Sequence, residues 1–123
     1  MIENEITAKI IGCAIKVHKA LGPGLLESAY EECLAYEIVN FGMNMKRQIA
    51  MPLIYETVKM EIGYRADLIV EDKVIVEIKA VDALNDVHLA QVLTYLKLSG
   101  CKIGLLMNFN VKVMTNGIKR IAN

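Results

Sequence analysis

Apolar residues near the start of the chain, Ile6, Ile10, Cys13, Val17 and Leu21, recur at three- and four-residue steps. That period collects them on one face of an amphipathic helix running from Ile2 to about Leu21. Gly22-Pro23-Gly24 stops it. A second helical pattern, from Leu25 to about Phe41, turns Ala29, Cys33 and Leu34 inward, and Gly42 follows as a C-terminal cap. The period then shortens. Three extended segments, about Arg47 to Tyr55, Val58 to Val70 and Lys73 to Val81, are divided by polar breaks at Glu56-Thr57 and Glu71-Asp72, which predicts an antiparallel meander. Asn85 to Ser99 returns to helical spacing, with Leu89, Val92, Leu93 and Leu96 on one side and Gly100 closing it. Lys102 to Phe109 reads as a buried strand, and a strand, helix, strand order predicts that it lies parallel to a strand of the meander. Val111 to Ile121 reads as a last extended pair turning at Asn116-Gly117, a dipeptide suited to positive φ. The expected order is α-α-β-β-β-α-β-β: an α/β (α+β) fold whose mixed sheet joins an antiparallel meander to one parallel strand between flanking helices.

Composition narrows the class. A chain of 123 residues, 54% hydrophobic and 23% charged, is apolar enough to fold and long enough for one domain, expected over residues 1–123. No uninterrupted apolar run approaches the roughly 18 residues that span a bilayer. The opening Met1-Ile2-Glu3-Asn4-Glu5 is acidic where a secretory leader is basic, so a cytoplasmic location is expected, with no membrane partner. Cys13, Cys33 and Cys101 are far apart and odd in number, which argues for buried thiols. They form no zinc or redox pair and are too few for an ordinary iron-sulfur cluster. The 14 basic residues balance 14 acidic ones, so no overall positive field gathers nucleic acid. Local basic groups remain at Lys9, Lys16 and Lys19, at Lys46-Arg47 and at Lys119-Arg120; ordinary surface charge accounts for them equally well.

Candidate chemistry centres on Glu-x-Lys. With this many Glu and Lys residues about one such triplet arises by chance, and two are present. Glu71-Asp72-Lys73 sits in a polar turn where charges stay solvated. Glu77-Ile78-Lys79 sits between Val74-Ile75-Val76 and Ala80-Val81, so Glu77 and Lys79 share one strand face with apolar Ile75 and Val81. Partly buried charges need partners or a metal. Asp67, inside Ala66-Asp67-Leu68-Ile69-Val70, has the same need, and the Glu71-Asp72 hairpin sets it beside Glu77. A divalent cation would relieve two adjacent carboxylates, and oxygen ligands suit Mg²⁺ or Mn²⁺. A plain salt bridge from Lys79 to one or both acids would also account for the three residues.

Asp67 followed by Glu77-x-Lys79 on consecutive strands after a helix resembles the signature of the PD-(D/E)XK nuclease superfamily. Gly24-Leu25-Leu26-Glu27-Ser28-Ala29-Tyr30 resembles the GxxExxY pattern that names a small family within it. Tyr64-Arg65-Ala66-Asp67, Gln91-Val92-Leu93-Thr94-Tyr95 and Asn108-Phe109-Asn110 are similar to that family too, and the Gln91-to-Tyr95 spacing resembles the QxxxY motif of RecB-like nucleases. The resemblance implies a restriction-endonuclease-like core and divalent-metal hydrolysis of a DNA or RNA phosphodiester. It implies metal binding by Asp67, Glu77, the Ile78 carbonyl and Glu27, and a catalytic role for Lys79 in positioning water or stabilising the transition state. Gln91 and Tyr95, four residues apart and so on one helical face with His88 one turn earlier, would hold a neighbouring phosphate. Tyr30, three residues after Glu27 and able to hydrogen-bond it, Arg65 and His18 are candidate supports; helix capping by Glu27 and an ordinary helical His18 are the plainer readings. So small a domain has little surface for reading sequence, so a homodimer or a protein partner is also expected. Two rival functions stay open: a noncatalytic binding or scaffold module on the same fold, and hydrolysis of small nucleotide phosphodiesters.

Overall fold

The computed structural model describes residues 1–123. Helix α1 (Glu3–Leu21) buries Ile6, Ile10, Cys13, Ala14 and Val17, whereas Leu21, expected on the same stripe, is exposed at the last turn, and the helix ends where Gly22 takes φ 68°. Helix α2 (Glu27–Asn40) buries Tyr30, Glu31, Leu34, Ala35 and Ile38. Ala29 and Cys33, expected to face inward, are only half-buried. The helix is turned by Tyr30, whose ring stacks on Phe109 with centroids 4.6 Å apart and planes 13° apart. No helix is long and apolar enough to cross a membrane.

The five-stranded sheet takes in β1 (Met45–Ala50), β4 (Arg65–Val70), β5 (Val74–Lys79), β6 (Ile103–Asn108) and β7 (Ile118–Ala122), in the order β1-β4-β5-β6-β7. The first two extended segments are each broken, contrary to expectation. Pro52, which has no N–H to donate, separates β1 from β2 (Leu53–Tyr55), and Gly63 at φ 81° falls between β3 (Val58–Met60) and β4. Strands β2 and β3 form a separate hairpin, so β1 pairs directly with β4. The β4–β5 hairpin turns through Glu71 and Asp72, both at φ 54°, the geometry of a type I′ turn. Lys73 of the discarded triplet reaches the Met1 carbonyl at 2.6 Å.

Helix α3 (Asp86–Ser99) carries the chain across to β6, which lies parallel to β5 as expected. Its N-terminus is capped by Asn85, whose side chain accepts from the Val87 and His88 N–H groups while His88 Nδ1 accepts from the Asn85 N–H. His88 is thereby a capping residue. The expected pair beyond β6 is one strand: a 3₁₀ turn (Met114–Gly117) leads into β7, antiparallel to β6. Gly117 is required by space, since a Cβ there would come within 2.1 Å of the Asn108 carbonyl oxygen.

Each sheet face carries a core. Leu68, Val70, Val76, Ile78 and Leu105 pack with α1 and α2, whereas Ile69, Ile75 and Leu106 pack with Val92, Tyr95 and Leu96 of α3. Gly104 lets α3 lie close, because a Cβ there would meet the Val92 side chain at 2.7 Å. Alternation places Glu77, like Ile75, on the α3 side.

Candidate active site

The β4–β5 ladder ends at the pair Leu68↔Val76. Beyond it the strands part, and side chains take over the bonding: the Asp67 N–H donates to Glu77 Oε1 and the Ile78 N–H donates to Asp67 Oδ2, each at 2.8 Å. Each carboxylate thus caps a backbone N–H of the opposite strand, which fixes both acids at the fork. A hairpin with a short turn and matched strands makes this juxtaposition available. The termination of the ladder makes it useful, because a continued ladder would leave the carboxylates no N–H to accept from.

Glu77 is 3% exposed. Burial, followed by the nearby Asp67 charge, pushes its carboxyl up to about 8, against the pull of the Asp67 N–H and of Lys79. Asp67, half-buried, is also raised by burial; the Ile78 N–H, Gln48 and Lys79 work the other way. Lys79 sits half-buried nearby but makes none of the ion pairs within 4.0 Å. The simple salt bridge that would have explained the trio is absent. The fork therefore brings together two carboxyl groups that no ion pair offsets, and burial beside Asp67 keeps the proton on Glu77.

One residue that sequence reading passed over joins the fork. Gln48 lies in β1 between the register positions opposite Leu68 and Ala66, at φ 51°, a strained conformation for a residue with a side chain. Its amide donates to Asp67 Oδ1 at 3.3 Å and to Glu31 Oε1 at 2.8 Å. Glu31 is held in turn by Arg47 at 2.8 Å. The available signal was the spacing of Glu31, one helical turn after Glu27. Asn108, of the Asn108-Phe109-Asn110 motif, serves the backbone instead: its side chain accepts from the Val81 and Asn110 N–H groups and donates to the Val81 carbonyl, tying together the chain beyond β5 and β6.

The remaining candidates divide. Glu27 is exposed and acts on Glu77 only as a nearby charge. Tyr30 does not bond Glu27; its hydroxyl donates to the Gly22 carbonyl at 2.6 Å and accepts from the Leu25 N–H at 3.1 Å, stapling the loop between α1 and α2. His18 is buried against Phe109, with Nε2 2.7 Å from the Val111 carbonyl oxygen, and so is committed to that loop and not to the fork. Arg65 donates to the Gln48 carbonyl at 3.3 Å. Gln91 and Tyr95 do come together, lining a groove of about 370 Å³ against α3. Burial first, then Glu77 and Asp67, push the Tyr95 hydroxyl up to about 12, and the ring packs in one cluster with Ala66 and Ile75, the strand neighbours of the two acids. A larger depression of about 410 Å³ between α1 and α2 contains none of the predicted residues.

A sequence model of the PD-(D/E)XK nuclease superfamily matches residues 4–121. The chain belongs to that superfamily. No curated protein and no solved structure matches it. Three helices around a five-stranded mixed sheet with one parallel pair agree with the restriction-endonuclease-like core of PD-(D/E)XK proteins. These nucleases generally use divalent metals, so the donor set at the fork has to be tested for such an ion. Glu77 Oε1 and Asp67 Oδ2 are spent on backbone N–H groups, but Glu77 Oε2 accepts no hydrogen bond and is not sealed from solvent. Asp67 Oδ1 holds only the long contact to Gln48. Two spare carboxyl oxygens fit a hard cation, whose binding would displace the Glu77 proton. No three His, Cys, Asp or Glu side chains converge into a ready-made metal cluster.

Proposed function

We propose that this chain is a metal-dependent nuclease whose centre is Asp67, Glu77 and Lys79. The observation that carries the reading is the fork itself, where two under-neutralised carboxylates and an unpaired ammonium meet at the end of two adjacent strands. The motif Gly24 to Tyr30 supports assignment to the GxxExxY family within the superfamily.

In this reading Asp67 and Glu77 hold Mg²⁺ or Mn²⁺, with the Ile78 carbonyl and Glu27 as further donors. The ion supplies Lewis acidity toward bound water and the phosphate oxygens. Lys79, free of any carboxylate partner, orients the attacking water and offsets the charge that develops on the phosphate. Water oxygen bonds to phosphorus, the bridging P–O bond breaks, and the leaving oxygen takes a proton. Gln48 and Arg47 keep Glu31 and Asp67 in place from the β1 side.

The test uses pure protein with Mg²⁺ or Mn²⁺ and a panel of single-stranded, duplex and structured DNA and RNA, beside Asp67→Ala and Lys79→Ala. Wild type should cut at least one substrate, with each variant slower by about 100-fold or more. If wild type leaves the whole panel intact, a scaffold role or a small-nucleotide substrate replaces the nuclease reading; if the variants cut as fast, Asp67 and Lys79 are not its centre. Small phosphodiesters in the same assay separate those two.

A further inference from the structure

The groove beside the fork has a character of its own. Leu53 at the start of β2, Tyr64 just before β4, and Val87, Gln91, Thr94 and Tyr95 of α3 form its walls, and no Lys or Arg lines it. A phosphate lodged there would have no cation to meet it, so the groove is poorly suited to the phosphate contact expected of Gln91 and Tyr95. Its volume of about 370 Å³ lies within the range of ligand pockets, roughly 300 to 1,000 Å³.

Three features define what would fit. Tyr64 is 50% exposed and presents an aromatic ring at the wall. Gln91 is half-buried, and its amide makes no hydrogen bond within the protein, leaving a donor and an acceptor directed at whatever enters. Tyr95 belongs to both regions: it lines the groove and packs in one buried cluster with Ala66, next to Asp67, and Ile75, on the same strand face as Glu77. A neutral, flat occupant with a polar edge, covalently continuous with a phosphate at the fork, matches all three.

We propose that the groove receives one unstacked nucleobase of the strand being cut, its face on Tyr64 and its polar edge against the Gln91 amide. Aromatic stacking of this kind tolerates any base, while a Gln amide can pair with a base edge. The substrate class that follows is single-stranded or locally unpaired nucleic acid, since a paired base cannot enter. The inference rests on the nuclease reading for placing the strand, but base binding is measurable without cleavage.

The probe is a short single-stranded DNA with 2-aminopurine at each position in turn, titrated with protein in EDTA so that the strand stays whole. Tyr64 is exposed enough that replacing it spares the fold. Binding to wild type and to Tyr64→Phe should quench the fluorophore. Tyr64→Ala should bind about tenfold more weakly and lose the quench, and Gln91→Ala should weaken binding while keeping part of it. A fully paired duplex, or a strand abasic at the quenched position, should bind more weakly than the intact single strand. Wild-type affinity in both Ala variants, equal affinity for the abasic strand, or no quench at any position overturns the proposal. So does a Tyr64→Ala variant that changes only oligomeric state, since the occupant would then be a second copy. Cleavage in Mg²⁺ that ignores Tyr64→Ala sinks the base groove and leaves the nuclease reading standing; base binding without cleavage does the reverse.

Discussion

Replacing Glu77 by Gln separates the stability of the fork from its function. In the metal-free protein Glu77 holds its proton up to about pH 8, while in the unfolded chain it ionises near 4.5. The folded state therefore binds an extra proton between those values. Stability present below about 4.5 is lost as the pH rises through about 8. Every tenfold change in proton affinity between the folded and unfolded chain is worth about 1.4 kcal/mol, so the loss has a ceiling of about 5 kcal/mol. Coupling to Asp67 and local relaxation leave a smaller part to be observed. Glu77→Gln keeps the acceptor for the Asp67 N–H and removes the charge. In chelator the variant should match wild type near about pH 5 and exceed it near about pH 9, by at least about 1 kcal/mol, or about 3 °C in Tm. Excess Mg²⁺ should raise the Tm of wild type and not of the variant. Thermal unfolding at the two pH values, with and without metal, reads all four states. A variant that is less stable than wild type by the same amount at both pH values would refute the argument from buried charge.

Other expectations follow from single contacts. Tyr30→Phe keeps the stack on Phe109 but leaves the Gly22 carbonyl and Leu25 N–H without their partner, and should cost about 1 to 3 kcal/mol in denaturant unfolding. Gly117→Ala drives a methyl group into the Asn108 carbonyl and should lower stability by about 1 to 3 kcal/mol, seen as a reduced denaturant midpoint. Asn108→Ala frees the chain beyond β5 and β6; amide exchange at Val81 and Asn110 should rise well before that of the β5 core.

Much of this organisation was legible in the residues. The α1 stripe emerged because a 3.6-residue period is unambiguous over so long a helix. The parallel placement of β6 followed from the connection alone, and Asp67 met Glu77 because Glu71-Asp72 allows only a tight hairpin. The breaks at Pro52 and Gly63 were present as residues, but the surrounding alternation masked them, so the β2–β3 hairpin was merged into a longer meander. At Asn116-Gly117 a residue pair suited to positive φ served a packing need instead. The rotation of α2 depends on Tyr30 meeting Phe109, and the contribution of Gln48 depends on β1 lying beside β4. Neither partner is near in sequence, so local pattern carries no trace of them.

Manganese binding and strand cleavage measured on the same preparations test the central claim most directly. Wild type should bind Mn²⁺, seen by loss of the free-ion signal in electron paramagnetic resonance, and should cut. Lys79→Ala should bind the ion comparably yet cut about 100-fold more slowly or worse, and Asp67→Asn should lose both binding and cutting. Cleavage at the wild-type rate by either variant, or a wild-type protein that takes up no Mn²⁺, would contradict the assignment of Asp67, Glu77 and Lys79 as the working centre.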